Sequence, residues 1–119
     1  MSENPPEYIY KITTRALWAE GQRTGTLPRS EVDEKDGFMH LSTSAQLAET
    51  LRLHFAGESD LVIARVPVAP HGAALKWEPS RGGALFPHLY APLGMAAITA
   101  HEAVAVASDG ACQLPEFVR

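Results

Sequence analysis

Short apolar runs dominate the pattern of hydrophobic positions in this chain and predict most of its secondary structure. Runs rich in aromatic and β-branched residues are typical of strands, and they occupy residues 8–12, 38–41, 61–68, 74–77 and 96–107. The run 61–68 is apolar almost without interruption, which indicates a strand buried on both faces. Residues 86–93 carry two prolines and place alternate polar side chains at strand spacing.

Two segments have the pattern of helices. The first, residues 15–24, follows a pair of threonines that can cap a helix. In the second, residues 44–56, apolar residues recur at helical intervals, and Thr43 stands three residues before Gln46. That spacing is typical of a capping box, in which each side chain bonds the backbone of the other residue. Gly57 is the predicted end of this helix.

The order of these elements predicts the fold class. Residues 28–37 contain proline, serine and four acidic residues without periodicity, so we expect an exposed loop there. The remaining order is β-α-β-α-β followed mostly by strands, and it lacks the regular alternation of a doubly wound sheet. We therefore predict an α+β fold in one domain, residues 1–119, with a docked tail at 108–119.

Composition narrows the classes of function. The chain has 119 residues, a length that is enough to form one hydrophobic core. Its net charge of −4 argues against binding of long nucleic acids. Its one cysteine, Cys112, cannot form an internal disulfide, and no apolar run is long enough for a membrane span. We expect a cytoplasmic protein. The acidic residues of 31–36 are interpreted as a solvated loop. No histidine or cysteine stands at the spacing of metal ligands beside them, so we predict no metal site.

Candidate chemistry begins at His40, which lies in an apolar strand and is followed at once by the hydroxyls of Ser42 and Thr43. In a strand, His40 shares a face with Phe38 and Ser42. An isolated histidine of this kind is often a core residue that bonds a backbone carbonyl. The hydroxyls at a helix N-terminus, where free amides attract anions, favour a ligand site instead.

A second polar group lies in the strand-like stretch 86–93, where Phe86, His88 and Tyr90 alternate. If this stretch meets the His40 segment, the polar groups converge on an apolar cleft, which is the usual make-up of a small-ligand site. The alternative is that His88 and Tyr90 only tie a loop to the sheet.

Between these segments, Glu78 and Arg81 flank a turn rich in glycine and proline. Glu78 is a candidate for holding a sugar hydroxyl or stabilising an oxocarbenium-like charge, and Arg81 is a candidate for binding a phosphate with both of its terminal nitrogens. A simple surface ion pair between the two is an equally good interpretation.

Three stretches, GFMHLSTSAQLAETL, LVIARVPV and WEPSRGGALFPHLYAPL, resemble the domain of unknown function 952 family, a bacterial family. The resemblance covers residues 8–106 and departs from the expected pattern at Ala91, where we expect glycine. It implies an ADP-ribosyltransferase-like fold, with a split mixed β-sheet and two main helices. The HLST segment, followed by a helix and an aliphatic strand, is similar to the RNA 2'-phosphotransferases, which use NAD.

The resemblance also implies a ligand class. We expect a small cytoplasmic protein that binds NAD, a related nucleotide or a phosphorylated small molecule, with transfer or hydrolysis of ADP-ribose as its reaction. The catalytic candidates are His40, Glu78 and His88. The ligand-binding candidates also include Tyr10, which stands where the poly-ADP-ribosyltransferases have a first-strand histidine. A non-catalytic binding module and a structural or interaction domain are the alternatives, since activity does not follow from fold.

Overall fold

The chain forms two separate three-stranded sheets that meet at the first strand. In the computed structural model, which describes residues 6–119 except for the side chain of Arg81, the strands are β1 (Tyr8–Thr14), β2 (Thr26–Leu27), β3 (Met39–His40), β4 (Leu61–Pro67), β5 (Leu75–Pro79), β6 (Leu85–Leu89), β7 (Leu93–Gly94) and β8 (Ala100–Val104). The α-helices are α1 (Arg15–Thr24), α2 (Glu31–Asp36) and α3 (Ser44–His54). Short 3-10 turns connect several of these elements.

The two sheets have the strand orders β1-β4-β8 and β3-β6-β5, and β2 pairs with β7. A single bridge joins the sheets, since Tyr10 and Ser42 exchange backbone hydrogen bonds of 2.8 and 2.9 Å. The predicted α+β class and the split of the sheet are confirmed. The prediction of a mixed sheet differs from the structure, because every described strand pair is antiparallel.

Two hydrophobic clusters lie on opposite faces of the β1–β4 pair. One face buries Val62, Ala64 and Val66 in the cluster that also holds Trp18. The other face buries Leu61 and Ile63 in a second cluster, with these partners from other elements: Tyr10, Leu47, Leu51, Val104 and Val106. The prediction that 61–68 is a strand buried on both faces is confirmed, although β4 ends at Pro67.

The main local difference from the sequence prediction is α2, which lies where we expected a loop. Ser30 caps this helix by accepting a hydrogen bond from the Asp33 amide, and the Asp33 side chain accepts one from the Ser30 amide. Gly37 ends the helix in the left-handed conformation, with a φ of 83°. The prediction of a loop was therefore wrong, because a reciprocal cap and a terminal glycine stabilise a helix without apolar periodicity.

Other boundaries differ by a few residues. The helix predicted at 44–56 is α3, which ends at His54. The strand predicted at 96–107 is shorter, because Met95–Ala97 forms a 3-10 turn before β8. The C-terminal tail is docked as predicted, since the hydroxyl of Tyr10 donates to the carbonyl of Phe117 and accepts from the amide of Arg119. Within residues 6–119, none of the helices has the length and apolar character needed to cross a membrane.

The capping box predicted at Thr43 is present. The Thr43 hydroxyl accepts from the Gln46 amide, and the Gln46 side chain accepts from the Thr43 amide. We expect Thr43→Ala to lower the free energy of unfolding by about 1 kcal/mol, because the helix loses its cap. Urea denaturation measures this change, and the exposed Ser59→Ala is the control. Equal stability of the two variants would contradict a stabilising role for this cap.

Candidate functional site

The two predicted polar segments meet in the second sheet. β3 pairs with β6 in a register that places His40 opposite His88, and the centroids of the two imidazole rings are 5.5 Å apart. The two segments therefore meet in space, although Ser42 and Thr43 do not join the histidines. The meeting of the histidines follows from strand geometry, because residues opposite each other in an antiparallel pair project from the same face of the sheet.

Phe38 lies at the centre of this group of rings. Its ring centroid is 4.1 Å from His88, 4.6 Å from His40 and 5.1 Å from Tyr90. The contact with His88 is a stacked one, and His88 itself is only 5% exposed. Tyr90 stands at the edge of the group and is 41% exposed. The result is an aromatic surface that is closed beneath Phe38 and open at Tyr90.

Glu78 joins this group from β5. Its Oε1 accepts a hydrogen bond from Nδ1 of His88 at 2.8 Å and another from the Tyr90 hydroxyl at 2.7 Å. The hydrogen bonds from Tyr90 and, to a smaller extent, from His88 lower the pKa of Glu78, and the bond to Glu78 raises the pKa of the Tyr90 phenol. Because a carboxylate only accepts, Nδ1 of His88 carries the proton of this hydrogen bond, and in the neutral form of the ring Nε2 holds the lone pair. We call Phe38, His40, Glu78, His88 and Tyr90 the histidine cluster.

His40 is held from the other side by two carboxylates of α2. Its Nδ1 lies 2.7 Å from Oδ1 of Asp33, and its Nε2 lies 2.9 Å from Oδ2 of Asp36. Both carboxylates can only accept, so each contact is a hydrogen bond when the ring nitrogen that faces it carries a proton. The two histidines of the cluster therefore differ in their carboxylate partners, since His40 has two and His88 has one.

A buried ion pair supports His40 from below. Nζ of Lys11 donates to Oδ2 of Asp33 at 2.8 Å and to the carbonyl of His40 at 3.0 Å. The side chains of Lys11 and Asp33 are 5% and 1% exposed. Burial alone would raise the pKa of Asp33, but the hydrogen bonds from His40 and the charge of Lys11 outweigh it and leave the pKa well below its usual range. Burial lowers the pKa of Lys11 against the opposing effect of Asp33.

Similarity to known proteins identifies the family. The family model described as "Protein of unknown function (DUF952)" matches residues 12–101. This chain belongs to the DUF952 family. The resemblance that we inferred from its HLST and FPHLY segments is thereby confirmed.

One solved structure that is similar to this chain is that of protein CC0527 from Caulobacter crescentus. Its crystal structure has 44% sequence identity to this chain and a TM-score of 0.84, and the match covers 89% of this chain and 93% of that one. Its solution NMR structure also has 44% identity, with a TM-score of 0.78 and coverage of 88% and 90%. No curated protein matches this chain.

Several predicted site residues of this DUF952 protein lie outside the histidine cluster. Ser42 is buried and bridges to β1 through its backbone, while Thr43 uses its hydroxyl to cap α3. Phe86 is buried in β6 opposite Glu78, so it borders the cluster on the Glu78 side. The side chain of Arg81 lies outside the described residues. Tyr10 is fully buried on the opposite face of β1 from Lys11, where its ring stacks on Phe117, so its predicted contact with the site is not made.

Sequence reasoning missed the residues that hold His40. Asp33 and Asp36 were assigned to a solvated loop, yet Asp33 is among the most buried side chains of the chain. The signal that could have found α2 is Ser30 three residues before Asp33, which is the spacing of a capping box. No local pattern marks Lys11 as buried, because its partners come from distant segments.

The two cavities described for this family member lie away from the histidine cluster. One of about 570 Å³ borders the start of α1, and one of about 460 Å³ lies between Trp18 and His101. Neither is lined by a residue of the cluster. Among residues 6–119, no three metal-ligating side chains are placed to hold a common ion. The cluster therefore offers stacking surfaces and hydrogen-bonding groups at the protein surface.

Proposed function

We propose that the histidine cluster binds a small ligand that has a planar ring and sugar hydroxyls, with NAD or a related nucleotide as the first candidate. One observation carries this proposal: Oε1 of Glu78 holds both His88 and Tyr90 in place around Phe38. A fixed carboxylate beside the exposed ring of Tyr90 suits a nucleoside, because a base stacks on aromatic rings and a sugar donates hydroxyl hydrogen bonds.

Each part of such a ligand has a counterpart in the cluster. Tyr90 is exposed at the open edge, and the Lys76 amino group lies 4.9 Å from the centre of its ring. Both hydrogen bonds to Glu78 use Oε1, which leaves Oε2 for a ribose hydroxyl. In its protonated form, His40 supplies a positive charge for a phosphate.

We extend the proposal to a reaction, the hydrolysis or transfer of ADP-ribose. In hydrolysis, the bond between C1' of the ribose and the nicotinamide nitrogen breaks, and its electron pair leaves with nicotinamide. The oxygen of a water molecule bonds to C1', and its proton passes to Nε2 of His88. Glu78 stabilises the positive charge that develops on the ribose. Because Phe38 covers His88, this step requires the Phe38 ring to move aside.

Two features support a likeness to the ADP-ribosyltransferase fold. One is the split into two sheets that meet at β1. The other is the succession of the HLST segment, α3 and the buried strand β4. In this interpretation, His40 and His88 face the ligand from two paired strands, and Glu78 is the catalytic carboxylate.

Calorimetric titration tests binding. We expect NAD, ADP-ribose or AMP to bind the unmodified protein, and we expect Glu78→Gln and His88→Ala to bind at least about tenfold more weakly, since each loses a charge-assisted hydrogen bond. His54→Ala is the matched control, because His54 is exposed and lies at the end of α3. No heat with any of these nucleotides would refute the proposed binding.

A nicotinamide-release assay separates catalysis from binding. We expect the unmodified protein to release nicotinamide from NAD faster than Glu78→Ala does. Equal rates at the background level, together with measurable binding, would reject catalysis and identify a non-catalytic binding module. If binding is also absent, the cluster has a structural role that ties β3, β5 and β6 together.

A further inference from the structure

We propose that Nε2 of His40 is the position that binds the phosphate of a ligand, and that the carboxylate of Asp36 occupies this position in the free protein. The proposal rests on the proposed function and deepens it, because it names the group that recognises the anion. It also makes Asp36 an internal competitor of the ligand. The shared chemistry is that of a phosphate oxygen, which accepts from an imidazolium as a carboxylate does.

The inner half of His40 is fixed by bonds that a ligand cannot replace. Asp33 is 1% exposed, and its Oδ1 accepts from both Nδ1 and the backbone amide of His40 at 2.7 and 3.0 Å. Its Oδ2 accepts from Lys11 and from the Ser30 amide. Lys11 also donates to the His40 carbonyl. The ring is therefore held in one orientation, with Nδ1 inward and Nε2 outward.

The outer half of His40 is open to exchange. The side chain of His40 is 33% exposed, and that of Asp36 is 38% exposed. An ion pair with this exposure contributes little to stability, because water competes for both partners. Displacing Asp36 from Nε2 thus costs little, whereas the contact between Nδ1 and Asp33 is kept.

The position of Asp36 in α2 further weakens the interaction of its carboxylate with Nε2 of His40. Asp36 is the last residue of the helix, and Gly37 follows as the C-cap. The carbonyl groups at this end of a helix carry partial negative charge, which disfavours a carboxylate there. A ligand phosphate that approaches Nε2 from solvent does not have to occupy the helix end, so it makes the same bond without this repulsion.

The charges around the position favour an anion once Asp36 has moved. Lys11 and the Lys76 group beside Tyr90 are positive, as is His40 in its protonated form, whereas Asp33 and Glu78 are negative. The Asp36 carboxylate balances the remaining positive charge in the free protein. With His40 protonated, removal of this carboxylate leaves three positive groups against two negative ones.

Asp36→Asn tests the proposal, with Glu34→Gln as the matched control. Both residues are exposed in α2 and both changes remove one negative charge, but only Asp36 contacts His40. We expect Asp36→Asn to bind pyrophosphate and ADP-ribose roughly fivefold more tightly than the unmodified protein, the effect of removing one like charge about 4 Å away in a water-like medium. We expect Glu34→Gln to bind as the unmodified protein does.

NMR spectra of the ¹⁵N-labelled histidine rings locate the anion. On titration with pyrophosphate, we expect the Nε2 signal of His40 to shift while the Nδ1 signal stays constant. Tighter binding of ADP-ribose alone, with no response to pyrophosphate or inorganic phosphate, would show that the phosphate is read only as part of a nucleotide. Tighter binding of all three would show that phosphate alone suffices. Both results support the proposed position.

Two results would overturn it. Equal affinities of Asp36→Asn and the unmodified protein for pyrophosphate and ADP-ribose would show that Asp36 does not compete with a ligand. A shift at the ring of His88 or His101, with His40 unchanged, would place the anion elsewhere. If nucleotides bind but Asp36→Asn has no effect, this inference fails and the proposed function stands. If no nucleotide binds and Asp36→Asn still strengthens pyrophosphate binding, the proposed function fails and this inference stands.

Discussion

Replacing Lys11 with methionine is expected to lower the free energy of unfolding by about 3–5 kcal/mol, the usual cost of removing one partner from a buried ion pair. Lys11 and Asp33 are both almost completely buried, and they contact at 2.8 Å. Methionine fills the volume of the lysine stem, but it leaves the Asp33 carboxylate without its cation. It also removes the hydrogen bond to the His40 carbonyl.

Urea denaturation at pH 7 measures this loss. Lys35→Met is the matched control, since Lys35 is exposed in α2, the helix that contains Asp33, and its replacement is expected to change stability by less than about 0.5 kcal/mol. If Lys11→Met were as stable as this control, the buried pair would not hold α2 against β1. The same result would remove the physical basis for the fixed orientation of His40.

The elements that the sequence predicts well are those whose signal is local. α3 has its capping box and helical periodicity within one segment, and β4 is a continuous apolar run. α2 has only six residues, and its sole buried residue is polar, Asp33. A search for apolar periodicity therefore cannot detect it, because what stabilises this helix is its cap together with contacts to β1 and β3.

The candidate site also has one part that the local sequence pattern predicts and another part that depends on contacts between distant segments. Strand alternation places His40 and His88 on shared faces with Phe38 and Tyr90, so their convergence needed only the pairing of β3 with β6. Pairing alone does not determine which face of β1 is turned toward the site. Tyr10 and Lys11 are neighbours on this strand, and the structure turns Lys11 toward His40 and Tyr10 toward the C-terminal tail.

The stability of the protein is expected to fall in acid because Asp33 must be protonated there. Its pKa is lowered in the folded state, so the folded protein binds this proton less readily than the unfolded chain does. The contribution of Asp33 is therefore fully present above the unfolded pKa, about 3.9. It is lost progressively as the pH falls below that value toward the folded pKa. For a carboxylate held in this way, the loss is on the order of 2 kcal/mol.

Comparison with Asp33→Asn isolates this contribution from those of the other carboxylates. Asp33→Asn is expected to be less stable at pH 5, and the difference in free energy of unfolding is expected to narrow as the pH falls to 2.5. Glu34→Gln, which changes an exposed residue of the same helix, should give a curve parallel to that of the unmodified protein. Parallel curves for Asp33→Asn would mean that this carboxylate titrates alike in the folded and unfolded states. Its hydrogen bonds from His40 and Lys11 would then contribute nothing to holding the histidine cluster in place.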